Sequence, residues 1–149
     1  MKLKDKINED LKSAMKDGDK LKLQTIRSIR ALIIEFEKSG SGKDFNEEEE
    51  IKLLSTAAKK RKDSIDQFRK AGRDELAKKE EEELSILQTY LPKQLSIDEI
   101  KVIIIALAKQ LEAKTKEDFP KLMPAAMKEL KGKADGKIVK EIVTEFLGN

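Results

Sequence analysis

Histidine and cysteine are absent from this sequence, so any chemistry must come from carboxylates, lysines, arginines and hydroxyls. That removes histidine general bases, thiolate nucleophiles, disulfides and zinc sites built on Cys or His. Two charged constellations remain. In the first, Arg61 interrupts the apolar stripe Ile51, Leu54, Ala58, Ile65, Phe68, while Glu80 and Glu83 interrupt the stripe Leu76, Leu84, Leu87, Leu91. If both stripes are helices folded back on each other at Gly72, Arg61 and Glu83 are equidistant from the turn and lie opposite, with Glu80 one turn away. A pair of carboxylates can do proton-transfer work. The preferred reading is a structural ion pair, Arg61 with Glu83 and with Glu80 as second acceptor, because charges in apolar stripes are usually paired for reasons of fold.

The second constellation is the group Lys128, Lys131, Lys133, Lys137 and Lys140 around the loop Lys131-Gly132-Lys133-Ala134-Asp135-Gly136-Lys137. A basic, glycine-containing loop that opens a helix can hold phosphate on its backbone amides. Here Asp135 is placed to take those amides itself, and its charge repels phosphate. The loop therefore points to RNA backbone contact through lysine side chains and away from a nucleotide pocket. The run Lys59 to Arg73 is equally basic, but Lys59–Asp63, Lys62–Asp66 and Asp66–Lys70 are spaced to pair along one helix, which marks a solvated face. Arg27 and Arg30, with Lys20 and Lys22, form a third and weaker cluster. Tyr90 is the single tyrosine and tryptophan is absent. With no stacking platform, a folded RNA backbone is a better target than unpaired bases. The acidic run Glu47 to Glu50 reads as a helix start on the positive end of the helix dipole, not as a metal site. No cofactor-binding or catalytic sequence motif is present, so the sequence predicts no cofactor, no metal and no catalytic residue.

These residues must be held by helices. Of the 149 residues, 41% are charged and only 4% aromatic, so the core must be Leu, Ile, Val and Ala. A chain of this length buries roughly 68–70% of its unfolded surface. Leu3, Ile7, Leu11 and Met15 mark a first helix that Gly18 stops. Leu23, Ile26, Ile29, Ile33 and Phe36 mark a second, from about Asp19 to Ser39, and Ser39-Gly40-Ser41-Gly42 is a flexible link. Asn46 with Glu49 suggests a capping box for the third helix. The fourth ends before Pro92. Ser96 and Glu99 make another capping box, opening a helix with Ile97, Ile100, Ile104, Leu107 and Leu111 on its main face. Val102, Ile103 and Ile105 add apolar surface elsewhere, so this helix is expected to be buried on more than one side. Thr115 with Asp118 repeats the cap signal. Pro120 and Pro124 then predict a kink or two short turns. Asp135 caps a final helix through Leu147. The expectation is an all-α chain: a four-helix region over residues 1–92 containing a long antiparallel hairpin, then a small three-helix subdomain over 93–149. No run of ~20 apolar residues could span a membrane. The charged start MKLKDKINED lacks a signal-peptide core, and the cytoplasm is the expected location. A formal charge of +3 and a pI near 8.9 permit nucleic-acid binding without requiring it.

Several stretches resemble the YqeY family. They are Lys62 to Phe68, Ala71-Gly72-Arg73, Asp74 to Ala77, Glu83 to Leu87, Tyr90-Leu91-Pro92-Lys93-Gln94-Leu95-Ser96, and Lys131 to Val139. Ala14-Met15-Lys16 and Thr25-Ile26-Arg27 extend the resemblance over nearly the whole chain. The family is similar to the C-terminal tail of the B subunit of glutamine-dependent aspartyl/glutamyl-tRNA amidotransferase. The resemblance implies an all-helical, two-part fold and a tRNA-linked role. Its usual label is carbon–nitrogen ligase with glutamine as amido-nitrogen donor, although that tail helps to hold tRNA and does not perform the chemistry. Implied partners are tRNA, amidotransferase subunits or another protein. Pro120 and Pro124 depart from the family pattern, which has glycines there. Three readings follow: a non-catalytic or accessory tRNA-binding module using Lys128, Lys131, Lys133 and Lys137; a carbon–nitrogen ligase acting with a partner subunit; and a protein-interaction module using the apolar faces around Ile103 and Ile105.

Overall fold

The structure, a computed structural model, describes residues 2–148. Its regular elements are all helical: α1 (Leu3–Asp17), α2 (Lys20–Lys38), α3 (Glu47–Lys70), α4 (Asp74–Gln88), α5 (Ile97–Leu111), α6 (Phe119–Glu129) and α7 (Gly136–Leu147), with a 3₁₀ turn at Lys116–Asp118. The described residues cluster into two compact units divided after Pro92.

In the first unit the turns are set by glycine. At the end of α1 the amides of Gly18 and Asp19 return to the carbonyls of Met15 and Ala14, and at the end of α3 those of Gly72 and Arg73 return to Arg69 and Phe68. Both are Schellman closures. They need a left-handed residue, and Gly18 and Gly72 have φ of 69° and 72°. The core joins Leu3, Ile7 and Ala14 of α1 with Ile26, Ile29 and Ile33 of α2, Leu54 and Ala58 of α3, and Leu87 of α4. Each such buried Ile or Leu contributes roughly 1.5–3 kcal/mol relative to exposure.

Two stripes differ from the sequence expectation. Ala14 is buried and Met15 is 57% exposed. Steps of four overrun the helical period by about 40° each, so Met15 ends about 120° from Leu3 and Ala14 only about 20°. At the other end of the unit, Leu76 is 42% exposed and Ala77 fully buried. Side chains lean toward a helix N-terminus, so Leu76, in the first turn of α4, leans toward the turn at Gly72 and past the end of the hairpin.

Before α3, Asn46 caps through its side chain on the Glu49 amide at 2.9 Å. The reciprocal half of a capping box is replaced: the Asn46 amide donates to the Asp44 carbonyl, and the Glu49 carboxylate pairs with Lys43 at 3.7 Å. Glu50 accepts the Leu3 amide at 3.2 Å, so the acidic run also secures the start of α1. The Tyr90 hydroxyl donates to Asp10 at 2.6 Å.

In the second unit, Ser96 and Glu99 form the full capping box of α5. The core is Ile100, Ile104 and Ala108 with Leu122, Ala126 and Leu130, closed by Val139, Ile142, Val143 and Leu147. α5 is buried on one side only, contrary to expectation: Val102 and Ile105 are 67% and 51% exposed. Ile97, expected on the main face, is 54% exposed because it is the first residue of the helix. Its end is closed by Glu112 at φ 55°, a left-handed conformation without glycine. Asp118 accepts the amides of Lys114 and Thr115 at 2.8 and 3.0 Å. Those two bonds hold its carboxyl below the usual carboxylate range. The prolines do not break α6. Pro120 falls in the first turn, where an amide has no helical partner, and Pro124 follows only one turn later, so a single internal bond is forgone. The buried side of Leu122, Ala126 and Leu130 holds the helix through it.

Candidate nucleic-acid interface

The lysine loop joins α6 to α7. Gly132, at φ 76°, turns the chain, and the amides of Lys133 and Ala134 both return to the Leu130 carbonyl at 2.9 and 3.2 Å. The loop carbonyls are held from the segment that precedes α5. Gln94 Nε2 donates to the Gly132 carbonyl at 2.7 Å, and the Leu95 amide donates to the Lys133 carbonyl at 2.9 Å. Asp135 caps α7 by accepting the Lys137 amide at 3.0 Å. Gly136 lies close to the Met127 side chain, whose Cε is 3.1 Å from where a Cβ would stand.

The amides of Lys133, Ala134 and Lys137 and the carbonyls of Gly132 and Lys133 are therefore engaged internally, while the lysine side chains of the loop are exposed. Lys128 stands in the last turn of α6, Lys131 and Lys133 on the loop, and Lys137 in the first turn of α7; all four are exposed, as is Lys140. With Asp135 on the α7 amides, a phosphate would be met by ammonium groups, each a compact charge on a flexible stem. That arrangement suits backbone contact without base readout.

The other predicted cluster lies in the first unit. Arg61 Nη1 donates to Glu83 Oε2 and, at 3.3 Å, to Glu80 Oε2. Its Nη2 donates to Ser28 Oγ at 3.1 Å. The side chains of Arg61, Glu80 and Glu83 are 16%, 26% and 8% exposed. Arg61 also lines a groove between α2 and α3, whereas neither glutamate does. Both carboxylates are thus engaged by one guanidinium. The arrangement fastens α3 to α4 and, through Ser28, to α2. Among the described residues no group of three or more acidic side chains is arranged to hold a metal ion.

Sequence reasoning did not single out Ser28, nor Gln94 and Leu95 as the tether of the lysine loop. Ser28 is one of two hydroxyl residues on α2, with Thr25, and carries no distinguishing pattern. Gln94 and Leu95 lie in a recognisable stretch after Pro92, but only the fold shows what they hold.

A family model described as "Yqey-like protein" matches residues 4–147. The chain belongs to the YqeY-like family. Its curated relatives include fungal proteins named altered inheritance of mitochondria protein 41, mitochondrial. The one from Pyrenophora tritici-repentis is 30% identical to this YqeY-like chain over 96% of it and 80% of the relative. For Saccharomyces cerevisiae the figures are 34% identity over 86% and 68%. The protein from Vanderwaltozyma polyspora is 40% identical over 57% of this chain, a match spanning 46% of that relative's length. Among the described residues of the YqeY-like chain, no helix is long and apolar enough to cross a membrane.

Proposed function

We propose that this YqeY-like protein is an accessory tRNA-binding protein of the amidotransferase type, gripping the tRNA backbone through Lys128, Lys131, Lys133 and Lys137. The observation that carries the reading is the loop itself: its carbonyls are drawn inward by Gln94 and Leu95, and its lysines are exposed. The likeness of the family to the tRNA-holding tail of an amidotransferase subunit supports it. A role without catalysis fits the engagement of Glu80 and Glu83 by Arg61. The proposal places the protein in the cytoplasm, where a cysteine-free chain fits the reducing environment; the word mitochondrial belongs to its fungal relatives.

The test is a titration against total tRNA at several salt concentrations. Each neutralised phosphate contributes about 0.9 to the slope of log K against log salt on duplex-like nucleic acid, so four contacts give about −3.6. Replacing all four lysines by glutamine is expected to flatten the slope accordingly while the circular-dichroism spectrum stays that of the folded protein. Absence of binding at low salt refutes the proposal.

A further inference from the structure

The first unit holds a groove that the tRNA reading does not use. It runs between α2 and α3 with a volume of about 550 Å³, within the range of roughly 300–1,000 Å³ typical of small-molecule sites. Leu32 and Phe36 of α2 face Leu53 and Ala57 of α3 across its floor. All four are only partly buried, so each keeps apolar surface within reach of solvent. The fold leaves the floor open because α2 and α3 meet sparsely: α3 is committed to α4 through Arg61, and the residues between Lys38 and Glu47 allow α3 to stand off from α2.

The rim is polar and carries spare positive charge. Lys52, Thr56 and Lys60 also line the groove. They are spaced four apart on α3, so they follow one another along one side, each about 6 Å from the next. Among the described residues neither Lys52 nor Lys60 is engaged in an ion pair, whereas Lys43 is held by Glu49 and Arg61 by Glu80 and Glu83. Thr56 stands midway, within the reach of both lysine side chains; its hydroxyl donates to the Lys52 carbonyl at 2.9 Å, so the charge on offer there is that of the two ammonium groups.

We propose that this groove binds a medium-chain aliphatic carboxylate, with its chain on Leu32, Phe36, Leu53 and Ala57 and its head over Thr56 between Lys52 and Lys60. The floor sets the size of the occupant. Four apolar side chains bounded at once by hydroxyls and lysines match a small ligand, and they fall far short of the ~800 Å² per partner of a stable protein interface. The rim sets the head group. Phosphate is favoured by a free guanidinium fork or a cradle of backbone amides. Here the Arg61 fork is occupied and the rim belongs to a helix whose amides are bonded within it. Two ammonium groups on one helix side, with no acidic side chain between them, suit a single carboxylate.

The site shares no residue with the lysine loop and does not depend on the tRNA proposal. The test is a titration of the ¹⁵N-labelled full chain with decanoate below its micelle concentration, followed by amide shifts. Shifts confined to α2 and α3 around Leu32, Phe36, Leu53 and Ala57 are expected. Decyltrimethylammonium, with the same chain and the opposite head, is expected to bind at least roughly tenfold more weakly. The double variant Lys52→Gln/Lys60→Gln, both exposed positions, is expected to weaken decanoate roughly fivefold and leave decanol unaffected. Ala57→Phe fills the floor and is expected to abolish both; should it unfold the protein, the lysine pair still decides. Shifts scattered over the surface, no localised shift up to low-millimolar decanoate, or equal binding of the cationic amphiphile overturns the proposal.

Discussion

Replacing Arg61 with methionine tests whether the charged cluster holds the fold or serves chemistry. The side chain is 16% exposed and Glu83 beneath it only 8%. Methionine keeps most of the stem and removes the guanidinium, which leaves Glu83 desolvated and unpaired. Breaking one partner out of a buried pair costs about 3–5 kcal/mol. Glu80, 26% exposed, can turn to water and adds little. Ser28 loses one hydrogen bond, about 1 kcal/mol. Arg61→Met is therefore expected to destabilise the first unit by about 3–5 kcal/mol. Adding Glu83→Gln to it removes the orphaned charge and is expected to restore at least ~2 kcal/mol of that loss. The assay is urea unfolding followed by tyrosine fluorescence, since Tyr90 is the single tyrosine and lies in the first unit. A cost below ~1 kcal/mol for Arg61→Met, or a double variant no more stable than the single one, refutes the structural account.

Two further predictions concern single side chains. Burial, and then the bond to Asp10, pushes the Tyr90 hydroxyl well above its ordinary value of 10.0. A spectrophotometric alkaline titration is expected to show it ionising late, and because the folded group holds its proton longer, stability is expected to be intact below pH 10.0 and to fall as pH rises beyond it. Glu112 sits at φ 55°. A left-handed residue with a Cβ carries about 1–2 kcal/mol of strain, and glycine adds unfolded-state entropy of about 0.4–1 kcal/mol, so Glu112→Gly is expected to stabilise the second unit by about 0.5–1 kcal/mol in a circular-dichroism melt.

The helical character of the chain and the charged cluster were legible because both rest on local spacing. Gly18 and Gly72 announced the turns, and three charges in two apolar stripes announced Arg61, Glu80 and Glu83. Finer placement failed where a stripe was read too long or too wide. Met15 lost its place to Ala14 because a step of four drifts around the helix. Val102 and Ile105 carry strongly apolar side chains, yet α5 has core neighbours on one side only, and hydropathy does not report which neighbours exist. Pro120 and Pro124 predict a kink or two short turns from spacing alone, but their effect depends on where the helix begins, and Phe119 as first residue makes both tolerable. The α2–α3 groove was not legible at all. It arises from what fails to touch, and a sequence records the residues that could pack without recording the pairs that do not.

The tether from Gln94 and Leu95 to the lysine loop has a consequence for dissecting the protein. Helix logic suggests cutting a free-standing second unit at the Ser96 cap. Such a fragment would keep every residue of α5, α6 and α7 and still lose the donors that face the Gly132 and Lys133 carbonyls. A fragment that begins at Lys93 retains them. The Leu95 amide is also a built-in gauge: its hydrogen exchange with solvent reports how often the loop backbone lets go, without any label on the lysines themselves.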